Sequence, residues 1–149
     1  MKIEKTVFAN MCMIYDDNGN VVVQNRGDSK WPGIAFPGGH VEAEESFTDA
    51  VIREVNEETG LTVKEVQCCG IKDWTENGMR HVILLYKTNK FSGELISSDE
   101  GEVKWVNIDD LSKLNLADGM DITLQVFLND NLSELFFYKE NNGWKKVLK

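Results

Sequence analysis

Between Gly38 and Leu61 the chain reads GGHVEAEESFTDAVIREVNEETGL, and few structures accommodate this stretch. It predicts a tight glycine turn, an acidic loop, and a helix that starts near Ser46 and is stopped by Gly60. Ser46 with Asp49 three residues on forms a capping pair, and Gly60 stands where a C-cap glycine belongs. At 100° per residue, Glu54, Glu57 and Glu58 fall within roughly one 100° sector of the helix. Phe47, Ala50 and Val51 lie in or beside that sector. The carboxylates therefore border the apolar stripe instead of opposing it.

Such an arrangement works against folding in three ways. Glu54 repels Glu57 and Glu58 at i,i+3 and i,i+4 spacing. Glu57 and Glu58 occupy the last turn, where the helix dipole disfavours anions. Two unit charges about 4 Å apart at an effective dielectric of about 20 interact by roughly 4 kcal/mol. A hard divalent cation would reverse the sign of all three effects. A solvated acidic face is the ordinary reading of a charge run. The carboxylates' place beside the apolar stripe, with Arg53 as the lone cation among them, points instead to a metal site.

Gly39, five residues, Glu45, seven residues, then Arg53-Glu54-Val55-Asn56-Glu57-Glu58-Thr59-Gly60-Leu61 resembles the Nudix box, GX5EX7REUXEEXGU with U aliphatic, at each of its nine fixed positions over 23 residues. The resemblance implies a hydrolase of nucleoside diphosphates linked to another moiety, dependent on Mg²⁺ or Mn²⁺, folded as an α-β-α sandwich. It assigns Glu57 and Glu58 as central metal ligands and Glu54 as a further ligand or water activator. Glu45 would support the junction of loop and helix. Mg²⁺ takes octahedral oxygen ligands, usually a few carboxylates plus substrate phosphates. The Gly39 carbonyl completes a suitable protein set with Glu54, Glu57 and Glu58. Arg53 is placed to pair with Glu57 one turn on and fix its orientation.

Some members of this family take a catalytic base from a loop outside the box. Glu100 and Glu102 are the candidates here, Glu100 foremost. The runs WPGIAFPGGHVE and LADGMDITLQVF resemble the MutT-type branch, which removes oxidised guanine nucleotides. On that resemblance the substrate is a purine nucleoside triphosphate such as 8-oxo-dGTP. A base pocket needs an aromatic wall and an Asn or Asp to read the purine edge, and Phe36, Asn115 and Asp118 fit in type. ADP-ribose, a nucleotide sugar or another diphosphate-linked substrate is the alternative. A non-catalytic, nucleotide-binding regulatory domain is a further one, although such domains usually carry a degraded box and this box is intact. His40 and His81 have no metal-ligand spacing.

The rest of the chain bounds these readings. At 149 residues it predicts a single domain, 1–149, able to bury a core. The net charge of −9 argues against long nucleic acid or an anionic membrane surface as partner, but is compatible with a small nucleotide whose charge bound cations neutralise. Cys12, Cys68 and Cys69 form no CxxC pair and sit in apolar runs, as small core residues of a reduced, cytoplasmic protein would. The apolar run from Val7 to Tyr15 is too short to span a membrane and precedes no convincing cleavage site.

In chain order, Lys5–Tyr15 and Val21–Gln24 flank Asn18-Gly19 and predict a hairpin. A loop with Gly27, Pro32 and Gly33 follows, with Trp31 either plugging the core or lying over a ligand. Leu61–Trp74, broken near Gly70, Arg80–Phe91 and Val103–Ile108 read as strands, and a short helical turn opens at Asp109-Asp110-Leu111. Met120–Leu128 has helical spacing, and the tail reads as a hairpin around Asn141-Asn142-Gly143. Strands mixed with few helices give an α/β class with a mixed, α+β-like sheet covered by helices.

Overall fold

The computed structural model describes all residues, 1–149. Ten strands, two α-helices and one 3-10 turn follow in order. They are β1 (Thr6–Ile14), β2 (Asn20–Asn25), β3 (Ile34–Ala35), α1 (Phe47–Thr59), β4 (Thr62–Lys64), β5 (Gln67–Glu76), β6 (Met79–Thr88) and β7 (Lys90–Ser92). Then come β8 (Glu102–Asn107), the 3-10 turn (Ile108–Lys113), α2 (Met120–Leu128), β9 (Glu134–Glu140) and β10 (Gly143–Leu148).

A mixed five-stranded sheet has the order β1-β6-β5-β9-β10, with β1 parallel to β6 and β5 parallel to β9. A second, antiparallel sheet runs β3-β2-β8, and β4 pairs with β7. Strand alternation divides the core into two layers. Met11, Met13, Val21, Val23 and Leu85 pack with Met120, Val126 and Phe127 of α2. Cys12, Ile14, Val22 and Tyr86 pack with Val51 and Val55 of α1. One helix thus covers each face, and the expected α-β-α sandwich is present. No helix is long and apolar enough to cross a membrane.

Two local expectations fail. The Asn18-Gly19 turn does not close a hairpin, because β1 and β2 enter different sheets and share only the bridge Tyr15–Val21. The Asp16 carboxylate accepts from the backbone amides of Asn18 and Asn20 and from the Asn20 side chain, each at 2.9 Å. That turn swings the chain away, and both strands bury apolar residues on both faces, so each needs a partner elsewhere. Cys68 is exposed rather than in the core, since a bulge between Cys68 and Gly70 interrupts the alternation of β5. Cys12 is buried and Cys69 partly so. The helix at Met120–Leu128 and the terminal hairpin match the sequence reading, whereas the break expected near Gly70 falls at Glu65–Val66, between β4 and β5, and Gly70 marks only the bulge.

The segment Pro37–Val41 positions the site by running antiparallel along the free edge of β1. Cys12 N donates to Pro37 O at 2.8 Å, Asn10 N to Gly39 O at 2.8 Å, and Val41 N to Phe8 O at 3.0 Å. Gly38 lies so close that a Cβ would overlap the Asn10 carbonyl and approach Met11 Cα to 2.8 Å. Gly38→Ala is expected to destabilise the protein by about 3 kcal/mol through backbone overlap. Gly78→Ala, at φ +75 but with open space around the position, should cost only about 1 kcal/mol. Urea denaturation of the two variants measures the difference; equal losses would mean that β1 yields to the intruding methyl.

Candidate active site

α1 is capped as its sequence predicts. Asp49 N donates to Ser46 Oγ at 3.0 Å, and Gly60, in the left-handed conformation, donates its N–H to Asn56 O. Val51, Val55 and Glu58 follow one another at i, i+4 and i+7, so the stripe that seats the helix delivers Glu58 inward. Glu58 is 5% exposed and accepts the Gly38 amide at 3.1 Å. Burial, with Glu54 and Glu100 nearby, pushes its carboxyl up to about 7, against the pull of the Gly38 amide and of Arg26.

Arg53 ties the remaining acids together. Its Nε and Nη2 grip Glu45 at 2.7 and 2.9 Å, its Nη1 reaches Glu54 at 2.9 Å and Glu57 at 3.2 Å, and its Nη2 also donates to the His40 carbonyl at 3.0 Å. The forked contact with Glu45 dominates, so the Glu57 pair expected from helical spacing is one arm of a larger clamp. Arg53 and the Glu42 amide hold the Glu45 carboxyl down to about 2. Glu45 thereby locks the acidic loop to the helix.

A cleft of about 280 Å³ opens beside this assembly. Gly39, Glu54, Glu58 and Glu100 line it with oxygen-bearing groups, and Arg26 is the single Lys or Arg among its lining residues. Glu57 stands outside the lining, its side chain 58% exposed. Glu102 begins β8 opposite Asn25 and does not line the cleft either, which favours Glu100 over Glu102 as the loop carboxylate at the site.

The base-pocket residues expected from the sequence are scattered. Phe36 reaches the cleft, but it is 2% exposed and packed edge-on against Phe127, so its ring offers no open wall for stacking. Asn115 is exposed and outside the lining, engaged through its carbonyl, which accepts from Ile34 N. Asp118 is also exposed, and its carbonyl accepts Trp31 Nε1 at 2.7 Å. Trp31 is the aromatic residue that lines the cleft while half-exposed. Sequence reasoning overlooked Arg26, although an arginine at a strand end before a glycine loop carries a signal, and Asn10, which no local pattern marks. Asn10 Oδ1 accepts the Gly39 amide at 3.0 Å, while its buried Nδ2 has no partner.

The residues present suit a hard divalent cation. The donor set is all oxygen, and Gly39 lies so close to the Glu54 carboxylate that a Cβ there would collide with it. The crowding of Glu58 by Glu54 and Glu100 is the excess of negative charge that a dication neutralises. The glutamates do not converge on one point as they stand: Glu54 and Glu57 turn to Arg53, and Glu58 to the Gly38 amide.

The profile of the NUDIX domain matches residues 5–127. The chain belongs to the Nudix family. It is 30% identical over 114 residues to the Nudix hydrolase YvcI of Bacillus subtilis, a match covering 72% of this chain and 70% of that protein. It is 31% identical over 105 residues to an ADP-ribose pyrophosphatase of Methanocaldococcus jannaschii, covering 68% of this chain and 62% of that protein. Among solved structures, the MutT protein of Bacillus halodurans superposes with a TM-score of 0.76 at 27% identity, over 95% of this chain and 97% of that one. A Nudix domain with these relatives is a pyrophosphohydrolase.

The raised Glu58 value sets a pH dependence for the metal-free protein. The folded-state value, about 7, lies above the ordinary 4.5, so the folded state binds more protons between them and stability falls as pH rises through that window. The ionised group costs on the order of 3 kcal/mol. Metal-free Glu58→Gln is therefore expected to exceed wild type in stability at pH 8 and to match it near pH 5. Mg²⁺ or Mn²⁺ should raise the wild-type Tm, because binding to the folded state alone stabilises it. A metal-free Glu58→Gln protein that melts well below wild type at pH 8 would show the carboxylate to be a structural anchor.

Proposed function

We propose that this protein is a Mg²⁺- or Mn²⁺-dependent hydrolase of purine nucleoside triphosphates, 8-oxo-dGTP foremost, releasing the monophosphate and pyrophosphate. The observation that carries the reading is the meeting of Glu54, Glu58, Glu100 and the Gly39 backbone in one cleft that also holds Arg26 and Trp31. The fold similarity to a MutT protein along nearly the whole chain supports the MutT-type reading on which the triphosphate rests. We read residues 1–149 as one Nudix domain, since β9 and β10, beyond the matched segment, extend the main sheet through β5. The three unpaired cysteines suit a reducing, cytoplasmic setting.

Divalent cations held by Glu54, Glu57, Glu58 and the Gly39 carbonyl would neutralise phosphate oxygens and sharpen the acidity of a bound water. Glu57 would have to leave Arg53 to join them, a short motion for an exposed side chain. The Gly39 carbonyl already accepts from Asn10 N and retains a second lone pair. Arg53 holds Glu54 in place through its own anchorage on Glu45. Glu100, across the cleft, is the candidate to take the proton from the attacking water, and Arg26 can pair with a phosphate.

The oxidised base presents an N7–H where guanine has an acceptor, so an acceptor held at the purine edge would favour it. An unpaired buried group costs roughly 1–3 kcal/mol, or about 5–150-fold in preference. The Methanocaldococcus relative favours ADP-ribose as a second reading. kcat/KM for 8-oxo-dGTP, dGTP, ADP-ribose and a dinucleoside polyphosphate under one Mg²⁺ condition separates them. Equal values for 8-oxo-dGTP and dGTP would remove the sanitising role, and a clear lead for ADP-ribose would move the protein to that substrate. Glu57→Gln is expected to lower turnover by about three orders of magnitude while leaving the Tm near wild type, because the side chain is exposed. Near-wild-type activity in that variant, or in metal-free protein, would overturn metal-dependent hydrolysis and leave a nucleotide-binding domain.

A further inference from the structure

Beyond the carboxylates, the wall of the cleft borders a row of side chains that runs on across the main sheet. Ala9 of β1 and Ile83 of β6 are register partners, and both line the cleft. The next residue in that row is Lys72 of β5, opposite Ile83. In the neighbouring row His81 faces Trp74, their rings stacked at 4.9 Å and 6° apart. Phe137 of β9 closes on Trp74 edge-to-face at 6.3 Å. All these side chains occupy the face that carries the cleft, and Trp74, His81 and Phe137 are only half-buried. Trp31 stands over the row, pinned by its Nε1 bond to Asp118 O and by Arg26 Nε, which donates to its carbonyl at 3.1 Å.

Lys72 is unusual within this shelf. It is only 7% exposed, and the ammonium at its tip, which keeps contact with solvent, makes no salt bridge or hydrogen bond within the protein. Its charge is met by aromatic faces: Trp31 at 4.8 Å, Phe137 at 5.3 Å and Trp74 at 5.9 Å from Nζ. Such faces stabilise a cation without occupying its N–H bonds. Burial pushes the ammonium down to about 8, with Asp118 opposing and Lys146 adding to the shift, so it remains largely protonated at neutral pH. The ammonium thus stands among aromatic rings with no protein acceptor, next to Trp31 and Ile83 of the cleft wall.

We propose that Lys72 is a specificity-determining residue that reads the edge of an aromatic base and selects a 6-oxopurine over a 6-aminopurine. This rests on the purine-nucleotide reading above and deepens it. A base entering the cleft beside Trp31 meets the ammonium with its edge. A 6-oxopurine offers O6 as an acceptor there, whether or not C8 is oxidised. Adenine offers the N6 amino group, and two donors then face each other. One charged hydrogen bond gained against one donor left unpaired separates the two classes by about tenfold or more.

The test uses nucleoside monophosphates and metal-free protein, so it depends on neither turnover nor metal. Tryptophan fluorescence titrations with GMP, IMP and AMP report binding next to Trp31 and Trp74. Wild type is expected to bind GMP and IMP about tenfold more tightly than AMP. Lys72→Met, which keeps an unbranched chain among the rings, should bring the three affinities together; Lys72→Arg, which keeps the charge, should retain the order. Thermal melts establish that both variants fold. The role is overturned if wild type binds AMP as tightly as GMP, if the preference survives in a folded Lys72→Met, or if none of the three binds saturably. Loss of triphosphate hydrolysis as an activity, with the monophosphate preference intact, would overturn the proposed reaction and leave Lys72 in its role.

Discussion

The backbone of Pro37–Val41 lying flat against β1 is the contact on which the catalytic end depends. It needs glycine at position 38, because the Asn10 carbonyl occupies the space of any side chain there. With that contact made, the Gly38 amide points at Glu58 and the Gly39 amide at Asn10 Oδ1. The last turn of α1 and the edge of the sheet are thereby joined through one short piece of main chain. Displacing it would move a carboxylate, a carbonyl and a wall of the cleft together.

Electrostatics then divides the acids into two groups. Those within reach of Arg53 are satisfied, and its fork on Glu45 converts a loop of like charges into a closed clamp. The repulsion expected along the helix is relieved there without metal. Glu58 lies beyond that clamp, buried, with a single amide donor and two carboxylates as neighbours. The electrostatic strain of the box is concentrated in this one group, on the wall of the cleft. A fold that places its least satisfied carboxylate there gains from a cation more than one that spreads the same charge over solvent.

The opposite end of the cleft obeys different physics. Around Lys72 the surface is aromatic, and ring faces meet its charge at close range while Asp118 acts on it without pairing. The carboxylate end suits phosphates brought in with metal, and the aromatic end suits a flat, polar-edged ring. Both are attached to the same sheet, through the row that runs from Ala9 to Ile83 to Lys72, so their separation is fixed by strand spacing.

Where a structural decision is made by hydrogen bonds within one turn of chain, the sequence alone determined it. Ser46 and Gly60 bound α1, Asn141-Asn142-Gly143 turns the terminal hairpin, and the spacing of the glutamates with Gly39 identifies the family, because each signal is read over a few residues. The tertiary structure alone decided whatever depends on partners distant in sequence. The apolar runs of β1 and β2 announced strands but not that they would part into separate sheets, since a run buried on both faces reads the same whichever strand lies alongside. Phe36 fitted the base wall by type, yet Phe127 covers it; Lys72 looked like any strand lysine until Trp31, Trp74 and Phe137 closed around it. Burial is a property of the neighbours, and the neighbours of a sheet residue come from other strands and loops.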